Sequence, residues 1–430
     1  MRGRLFVFVF LFVVFPLAAQ QRVTLEQCRE WARANFPLVH QYGLIDRTEQ
    51  YNLSNAAKSL LPQFAVNAQA TYQSDVTQLP FDAEAISSVI PGFSVPSVSK
   101  DQYKVTAEVS QSIWDGGVAR SAREIVRAEA TAEREQLESD LYALNDRVDR
   151  LYFGILLQDE LLKQNDLLQR ELGVNIERIE AMIANGIANQ SDRESLEVEL
   201  LNTKQRAIEI KTSRHAYLRM LAAFTGKPLD DTVLDTPVIP GFDRSTMVIN
   251  RPELNALDAR SLLLNARNRQ VDAGLMPRLG AFIQGGYGRP GLNMLENSFN
   301  PFYIAGLRFS WNLGNLYTMK NDRRKIEANV RKITVQRETF LFNTRLQLIQ
   351  QDAEIQQISD QIQADEEIIR LRGSIKKSAE VKLENGIISA TDLIREINAE
   401  DRARQTAAAR KVQYLMSVYA YLTTKGGEKL

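Results

Sequence analysis

The sequence predicts an α+β protein in which long helices form a coiled-coil barrel and four strands per chain join a transmembrane β-barrel. Three observations predict this class: a pattern that occurs twice, two proline-free helical stretches of 67 and 69 residues, and two pairs of alternating strands. Four strands cannot close a barrel, so we expect the barrel to be closed only as a trimer.

The duplication is visible in landmarks that keep their order. The segment NGIANQSD at 185–192 is matched by NGIISATD at 385–392, and IWDGG at 113–117 is matched by WNLGN at 311–315. Ordered matches over about 200 residues indicate an internal repeat. We therefore predict a first repeat at 21–226, a second at 250–430, and a proline-containing linker at 227–249.

Residues 1–20 have the features of a secretory signal peptide. Arg2 and Arg4 precede an apolar run, and small residues follow it. Removal of this segment leaves 51 basic and 53 acidic residues, without the basic excess that nucleic-acid binding requires. One Cys and two His cannot populate a typical zinc site. With no phosphate loop or nucleophile motif, we expect neither an enzyme nor a cofactor.

The two proline-free stretches, 118–184 and 316–384, predict unusually long helices. At 1.5 Å per residue each would extend about 100 Å, and their Glu, Arg, Gln, Leu and Ile content is typical of coiled coils. Leu137, Leu141 and Leu144 begin a series of apolar residues with steps of three and four. We expect one apolar seam against a neighbouring helix and a polar face toward water.

Alternation with period two predicts strands at 63–72 and 103–113 in the first repeat, and at about 278–287 and 302–312 in the second. A half-buried sheet of a soluble domain would alternate similarly. However, strands of 10–11 residues suffice to cross a bilayer, and aromatic residues mark their ends. The apolar face would then meet lipid and the polar face a wet lumen. The predicted interfacial aromatics are Tyr72, Tyr103, Trp114, Tyr287, Tyr303 and Trp311.

Strand counting predicts an oligomer. After the signal the sequence has no run of 18 apolar residues, so a membrane crossing would need strands in a closed barrel. Two copies would give eight strands, which side chains fill, whereas three copies would give a 12-stranded pore. Long loops at 73–102 and 288–301 would be extracellular.

Each long helix is followed by the same turn. Asn185–Gly186 and Asn385–Gly386 predict left-handed helix ends, and the next helices would be capped by Ser191 with Asp192 and by Thr391 with Asp392. Two interpretations of these acids remain open. They are either turn chemistry alone or, in an oligomer, also a ring at the inner mouth of the pore.

The chain resembles the outer membrane efflux protein family, whose best-known member is TolC. The resemblance rests on the opening VTLEQCREWA at 23–32, LLP at 60–62, IWDGG at 113–117, and the tip turn Gly-Ile-x-x-x-Ser/Thr-Asp, which occurs twice. It implies a homotrimer in outer-membrane lipid that extends into the periplasm, with tips that contact an adaptor protein coupled to an inner-membrane pump.

The resemblance also implies a pore constriction at Asp392 and Arg395. Arg395 occupies the position of a second acid found in well-studied members, and at a spacing of three residues it would pair with Asp392 and neutralise it. A soluble periplasmic coiled-coil adaptor or scaffold remains the alternative function, because it would explain the signal and the helices but not the strands.

Overall fold

The fold is seen in a computed structural model that describes residues 22–77, 98–230, 232–239, 241 and 248–427. The predicted signal peptide, 1–20, and residues 78–97 of the first predicted loop lie outside the described residues. The helices and strands are β1 (Arg22–Val23), α1 (Leu25–Asn35), α2 (Gln41–Lys58), β2 (Gln63–Tyr72), β3 (Asp101–Trp114), α3 (Val118–Ala184), α4 (Gln190–Thr225), β4 (Val233–Leu234), α5 (Pro252–Gly274), β5 (Arg278–Arg289), β6 (Asn300–Ser310), α6 (Asn315–Glu384) and α7 (Ala390–Lys425). Both halves therefore contain a short strand, helix, two strands, a long helix and a shorter helix in that order, although the first half has two helices, α1 and α2, where the second has α5 alone.

The long helices α3 and α6 have 67 and 70 residues and begin and end within one residue of the prediction. The apolar series of α3 is buried, namely Leu137, Leu141, Leu144, Val148, Leu151 and Ile155. Helix α6 buries Leu348 and Ile355 but leaves Phe342, Leu346 and Ile349 exposed. Within the described residues of a single chain these three side chains stay uncovered, so this part of α6 exposes an apolar stripe in addition to its polar residues.

Contacts divide the chain into two units. The first comprises Met1–His40, Glu138–Pro252 and Thr339–Leu430. Within it, β1 pairs in parallel with β4, so part of the predicted linker at 227–249 is a strand. The Tyr152 hydroxyl lies 2.8 Å from the carbonyl oxygen of Val23 and 2.6 Å from that of Asp235, and it can donate to either. This hydroxyl anchors the beginning of the described chain and the linker to α3.

The second unit comprises Gln41–Leu137 and Glu253–Glu338 and contains one four-stranded antiparallel sheet. Its strand order is β2-β3-β5-β6, so the two predicted hairpins pair with each other through β3 and β5. Within the described part of the chain, β2 and β6 each pair with one strand only. The sheet therefore has two open edges. None of the helices in the described residues is long and apolar enough to cross a membrane.

The register brings the apolar residues of all four strands onto one face. Val66 pairs with Ala107, Ala107 with Gly285, and Gly285 with Tyr303. We call this the apolar face, and its residues are Phe64, Val66, Ala68, Ala70, Tyr72, Tyr103, Val105, Ala107, Val109, Leu279, Ala281, Ile283, Gly285, Tyr287, Pro301, Tyr303, Ala305, Leu307 and Phe309. Most of its large side chains are exposed, with Phe64 at 79% and Leu307 at 70%. Such an exposed apolar surface indicates contact with a nonaqueous environment or a partner.

The positions of two predicted interfacial aromatic residues, Trp114 and Trp311, became clear only from the structure. The β3–β5 register shifts between Ser112 and Trp114, so Trp114 pairs with Leu279 and lies on the apolar face. Simple alternation along β3 would have placed Trp114 on the opposite face. Trp311 lies just after β6, which ends at Ser310 and not at the predicted residue 312. The indole of Trp311 leaves the ladder and donates to the Leu275 carbonyl oxygen at 3.0 Å.

Candidate functional site

The tips of the two helical hairpins have nearly identical C-terminal caps, both in the first unit. Gly186 and Gly386 have φ of 75° and 70°, the left-handed conformation that glycine adopts without strain. Ile187 donates its backbone N–H to the Met182 carbonyl at 2.9 Å, and Ile387 repeats this bond to Lys382 at 2.8 Å. Asn185 and Asn385 each donate a side-chain amide to the carbonyl four residues earlier at 2.8 Å. The predicted left-handed helix ends are confirmed.

The N-caps lie two residues earlier than predicted. Helix α7 begins at Ala390, and its N-cap is Ser389, whose extended backbone (φ −82°, ψ 162°) a cap requires. Thr391 is already helical, as is Ser191 in α4, where Asn189 occupies the cap position. The prediction that Ser191 and Thr391 cap these helices is therefore wrong. Both remain exposed at the tips.

Asp192 and Asp392 do cap the helix starts, but from the third helical position. Asp392 Oδ2 accepts from the Ser389 backbone N–H at 3.2 Å and from its hydroxyl at 2.8 Å, while Ser389 Oγ accepts from the Asp392 N–H. Asp192 Oδ2 likewise accepts from the Asn189 N–H at 3.0 Å. Such reciprocal bonds form a capping box, whose Ser-x-x-Asp pattern is present in the sequence at 389–392.

The predicted pairing of Asp392 with Arg395 is also present. The guanidinium lies 3.2 Å from Asp392 Oδ1, with Arg395 68% and Asp392 41% exposed. Hydrogen bonds from the Ser389 side chain and backbone, followed by the charge of Arg395, hold the pKa of Asp392 below its usual value. Asp392 therefore stays ionised at neutral pH, but its charge is offset by a neighbouring cation.

The two tips pack side by side around an apolar cluster that sequence patterns did not single out. It is formed by Leu168, Leu172, Ile179, Met182, Leu196, Ala379, Leu383, Ala390, Leu393 and Ile397. Arg178 lies 3.6 Å from Glu384 across the two hairpins. Ile187 and Ile387, by contrast, are 55% and 69% exposed. Each tip thus presents one apolar side chain beside polar turn residues.

A charge network around one buried acid, Glu400, connects three helices of the first unit. Lys376 Nζ on α6 lies 2.6 Å from Glu171 on α3 and 2.5 Å from Glu400 on α7, which also contacts Arg404 at 2.5 Å. Glu400 is only 3% exposed. Sequence analysis missed this network because Lys376 and Glu171 are 205 residues apart, and no local spacing relates them.

Asp401, next to Glu400, is a second buried acid. It lines a cavity of about 190 Å³ with Glu171, Glu400 and Arg404, and Oδ2 accepts from the Gln405 amide at 2.6 Å. Burial raises the pKa of Asp401 to about 6, with the charge of Arg206 acting in the opposite direction and that of Glu171 adding to the rise.

This raised pKa predicts a pH-dependent stability. The folded state holds a proton on Asp401 that the unfolded state releases near its ordinary value of 3.8, so the free energy of unfolding falls as pH rises from about 4 to 6. We expect Asp401→Asn to raise this free energy on the order of 2 kcal/mol at pH 7.5 and very little at pH 4. Thermal unfolding of the detergent-solubilised protein at pH 4 and pH 7.5 measures this free energy. Asp166→Asn, at an exposed position of α3, is the control and should leave the free energy of unfolding unchanged at both pH values. An equal effect of Asp401→Asn at both pH values would contradict the prediction.

Comparison with solved structures establishes the fold. The chain matches the outer membrane protein VceC from Vibrio cholerae with a TM-score of 0.65 at 14% identity, covering 94% of this chain and 96% of that one. It matches the CmeC outer membrane channel of Campylobacter jejuni with a TM-score of 0.62 at 15% identity, covering 94% of this chain and 85% of that one. It also matches the open state of the MtrE outer membrane channel of Neisseria gonorrhoeae with a TM-score of 0.63 at 16% identity, covering 94% of this chain and 89% of that one. A family model described as outer membrane efflux protein matches residues 32–227. Residues 32–227 are therefore similar to outer membrane efflux proteins, and the whole described chain has the fold of the outer membrane channels it matches.

The match to the family model and the shared fold support an outer-membrane efflux channel component. The soluble adaptor or scaffold is not favoured, because the matched chains are covered almost completely, sheet and helices alike. The family is one of channels, not enzymes. No curated protein matches the chain. The described residues contain no group of three or more His, Cys, Asp or Glu that could hold a metal ion.

Proposed function

We propose that this chain functions in outer-membrane efflux as a homotrimer in which three four-stranded sheets close a 12-stranded barrel. The observation that carries the proposal is the sheet itself, with one exposed apolar face and two open edges. In hydrocarbon each unpaired backbone group at an edge costs several kcal/mol. Pairing β2 of one copy with β6 of the next removes every open edge. The aromatics at the strand ends then lie at the membrane interfaces.

The helices support the same assembly. Two helices have exposed apolar residues. Helix α6 exposes Phe342, Leu346 and Ile349, and helix α4 separately exposes Val198, Leu201 and Ile208 at helical spacing. An exposed apolar stripe of this kind indicates a protein partner. Copies of the same chain cover these stripes in the trimer, so the helices form a tunnel as the strands form a barrel.

The hairpin tips have the properties of an adaptor-binding surface and of the periplasmic opening of the channel. Ile187 and Ile387 are exposed beside Asn185, Gly186, Asn385 and Gly386, and an adaptor protein coupled to an inner-membrane pump contacts them. Asp392 and Arg395 lie near the constriction, where they set the closed mouth. Transport needs no catalytic step in this chain, which acts as a passive conduit from periplasm to exterior.

The test is single-channel conductance of the purified protein in a planar bilayer, with Asp392→Ala as the variant. We expect discrete pores from a heat-stable trimer, and a change in conductance on the substitution. Ser389→Ala is the matched control, because it weakens the same cap without removing a charge. Pores that respond equally to both substitutions would limit Asp392 to helix capping. Soluble protein that forms no pores would overturn the channel.

A further inference from the structure

The face of the sheet opposite the apolar face carries an excess of cations. We call it the polar face, and its charged residues in the four described strands are Lys104, Glu108, Arg278 and Arg308. Register spreads them along this face of the sheet: Lys104 pairs with Gly288, Glu108 with Gln284, and Arg308 with Gly280. Three cations against one acid leave two positive charges per chain. The only other charged residues in these four described strands, Asp101 and Arg289, pair with each other at the loop end of the sheet.

Two of these cations are held by aromatic rings that lie on glycines. A Cβ built on Gly286 would come within 2.3 Å of the Phe302 ring, and one on Gly306 within 3.3 Å of the Phe282 ring. Lys104 Nζ lies 4.9 Å from the centre of the Phe302 ring. A cation over a ring face at this distance gains about 0.5–1 kcal/mol when exposed. The glycines let the rings lie flat, and the rings then fix Lys104 above the sheet.

Arg308 is held in the same way and also restrains the acid. Its guanidinium lies 4.6 Å from the centre of the Phe282 ring and 3.4 Å from Glu108. Glu108 also accepts from the Gln284 amide at 3.2 Å. Glu108 is 19% exposed, whereas Arg308 is 59% exposed. The negative charge thus stays close to the strands and the positive charges stand outermost.

We propose that the polar face makes the outlet of this channel selective for anionic solutes, with Lys104, Arg278 and Arg308 as the specificity-determining residues. The inference rests on the proposed trimer, in which this face lines the lumen and carries six net positive charges. A lumen wall of one sign concentrates counter-ions of the other sign. At the tips, Arg395 offsets the negative charge of Asp392.

The range of such an effect is set by salt. The Debye length is about 10 Å at 0.1 M and about 3 Å at 1 M. Wall charges therefore influence ions across much of a lumen at low salt and only near the wall at high salt. We expect an anion preference at 0.1 M that weakens strongly at 1 M.

The test measures reversal potentials of single channels in KCl gradients. Wild type should prefer chloride, and Lys104→Gln/Arg278→Gln/Arg308→Gln should lower the chloride-to-potassium permeability ratio by at least about threefold at low salt. Glu108→Gln should raise the ratio. Arg289→Gln removes a cation from the other face of the same sheet and should leave the ratio unchanged. Lys104→Arg with Arg308→Lys keeps the charge and should retain the preference.

The outcomes separate the two proposals. Channels of normal conductance whose ratio is unaffected by the triple substitution, or whose wild type prefers potassium at low salt, would overturn the anion selectivity and leave the channel intact. Absence of any wild-type channel would overturn the proposed trimeric conduit, and the selectivity with it.

Discussion

Val66→Arg is expected to abolish accumulation of the trimer in the outer membrane, whereas Asn67→Arg, at the next residue, is expected to be tolerated. Both side chains are exposed in β2, and Val66 is 75% exposed. They point to opposite faces: Val66 pairs with Ala107 on the apolar face and Asn67 with Thr106 on the polar face. An arginine on the lipid face near the bilayer midplane costs about 2–4 kcal/mol, and three copies act together.

The measurement is the amount of heat-stable trimer in isolated outer membranes, from cells expressing each variant at equal levels. Because the two substitutions introduce the same side chain one residue apart, intrinsic strand propensity and expression cancel. Equal accumulation of both variants would show that the apolar face does not contact lipid. Loss of Asn67→Arg alone would reverse the assignment of the two faces.

Lys376→Met is expected to lower the free energy of unfolding by about 3 kcal/mol, because removing one partner of an ion pair leaves a buried charge uncompensated. The substitution keeps the length of the side chain but leaves Glu171 without its cation and the buried Glu400 with Arg404 alone. Burial disfavours the charge on Glu400, yet hydrogen bonds from Lys376 and Arg404 outweigh burial and hold the pKa of Glu400 below its usual value. Lys376→Met/Glu400→Gln should recover part of the loss.

The pH dependence of this stability difference follows from the pKa shifts of Lys376 and Glu400. Burial disfavours the charge on Lys376, but its two carboxylate hydrogen bonds raise its pKa above 10.5, so its contribution is lost as pH rises beyond that range. The contribution of Glu400 is present above its ordinary pKa of 4.5 and lost as pH falls below it. The difference between wild type and Lys376→Met should therefore be full from about pH 5 to 10.

Thermal unfolding of the detergent-solubilised trimer, followed by circular dichroism across this pH range, measures the difference. Lys377→Met is the matched control, because Lys377 is the next residue on α6 and is exposed. It should change Tm very little. A Lys376→Met variant as stable as Lys377→Met would mean that the network contributes no net stability.

Local patterns in the sequence were sufficient for the elements of this fold. Alternation with period two located β2 and β3, absence of proline gave the bounds of α3 and α6, and Asn-Gly marked both helix ends. These features succeed because strand pleating, helical hydrogen bonding and left-handed backbone each restrict the residues at fixed spacings. The duplication added the order of elements, because each repeat must satisfy the same constraints.

Local patterns were less reliable at the ends of elements. The sequence pattern favours Thr391 as the N-cap of α7, whereas the structure has a capping box between Ser389 and Asp392. The pattern is ambiguous because several hydroxyl and carboxyl residues in this turn could cap the helix. The bulge before Trp114 and the end of β6 at Ser310 were equally invisible, because each depends on the partner strand and on the hydrogen bond that the indole of Trp311 makes.

By itself, the sequence determined the fold class and the strands and helices, and it predicted the repeats and an oligomer, because periodicity and strand count are properties of the chain alone. Only the tertiary structure decided which charges meet. Lys376 with Glu171 and Glu400, and Lys104 and Arg308 above their aromatic rings, come together through helix packing and strand register. Such contacts join residues far apart in the chain, so no local spacing specifies them.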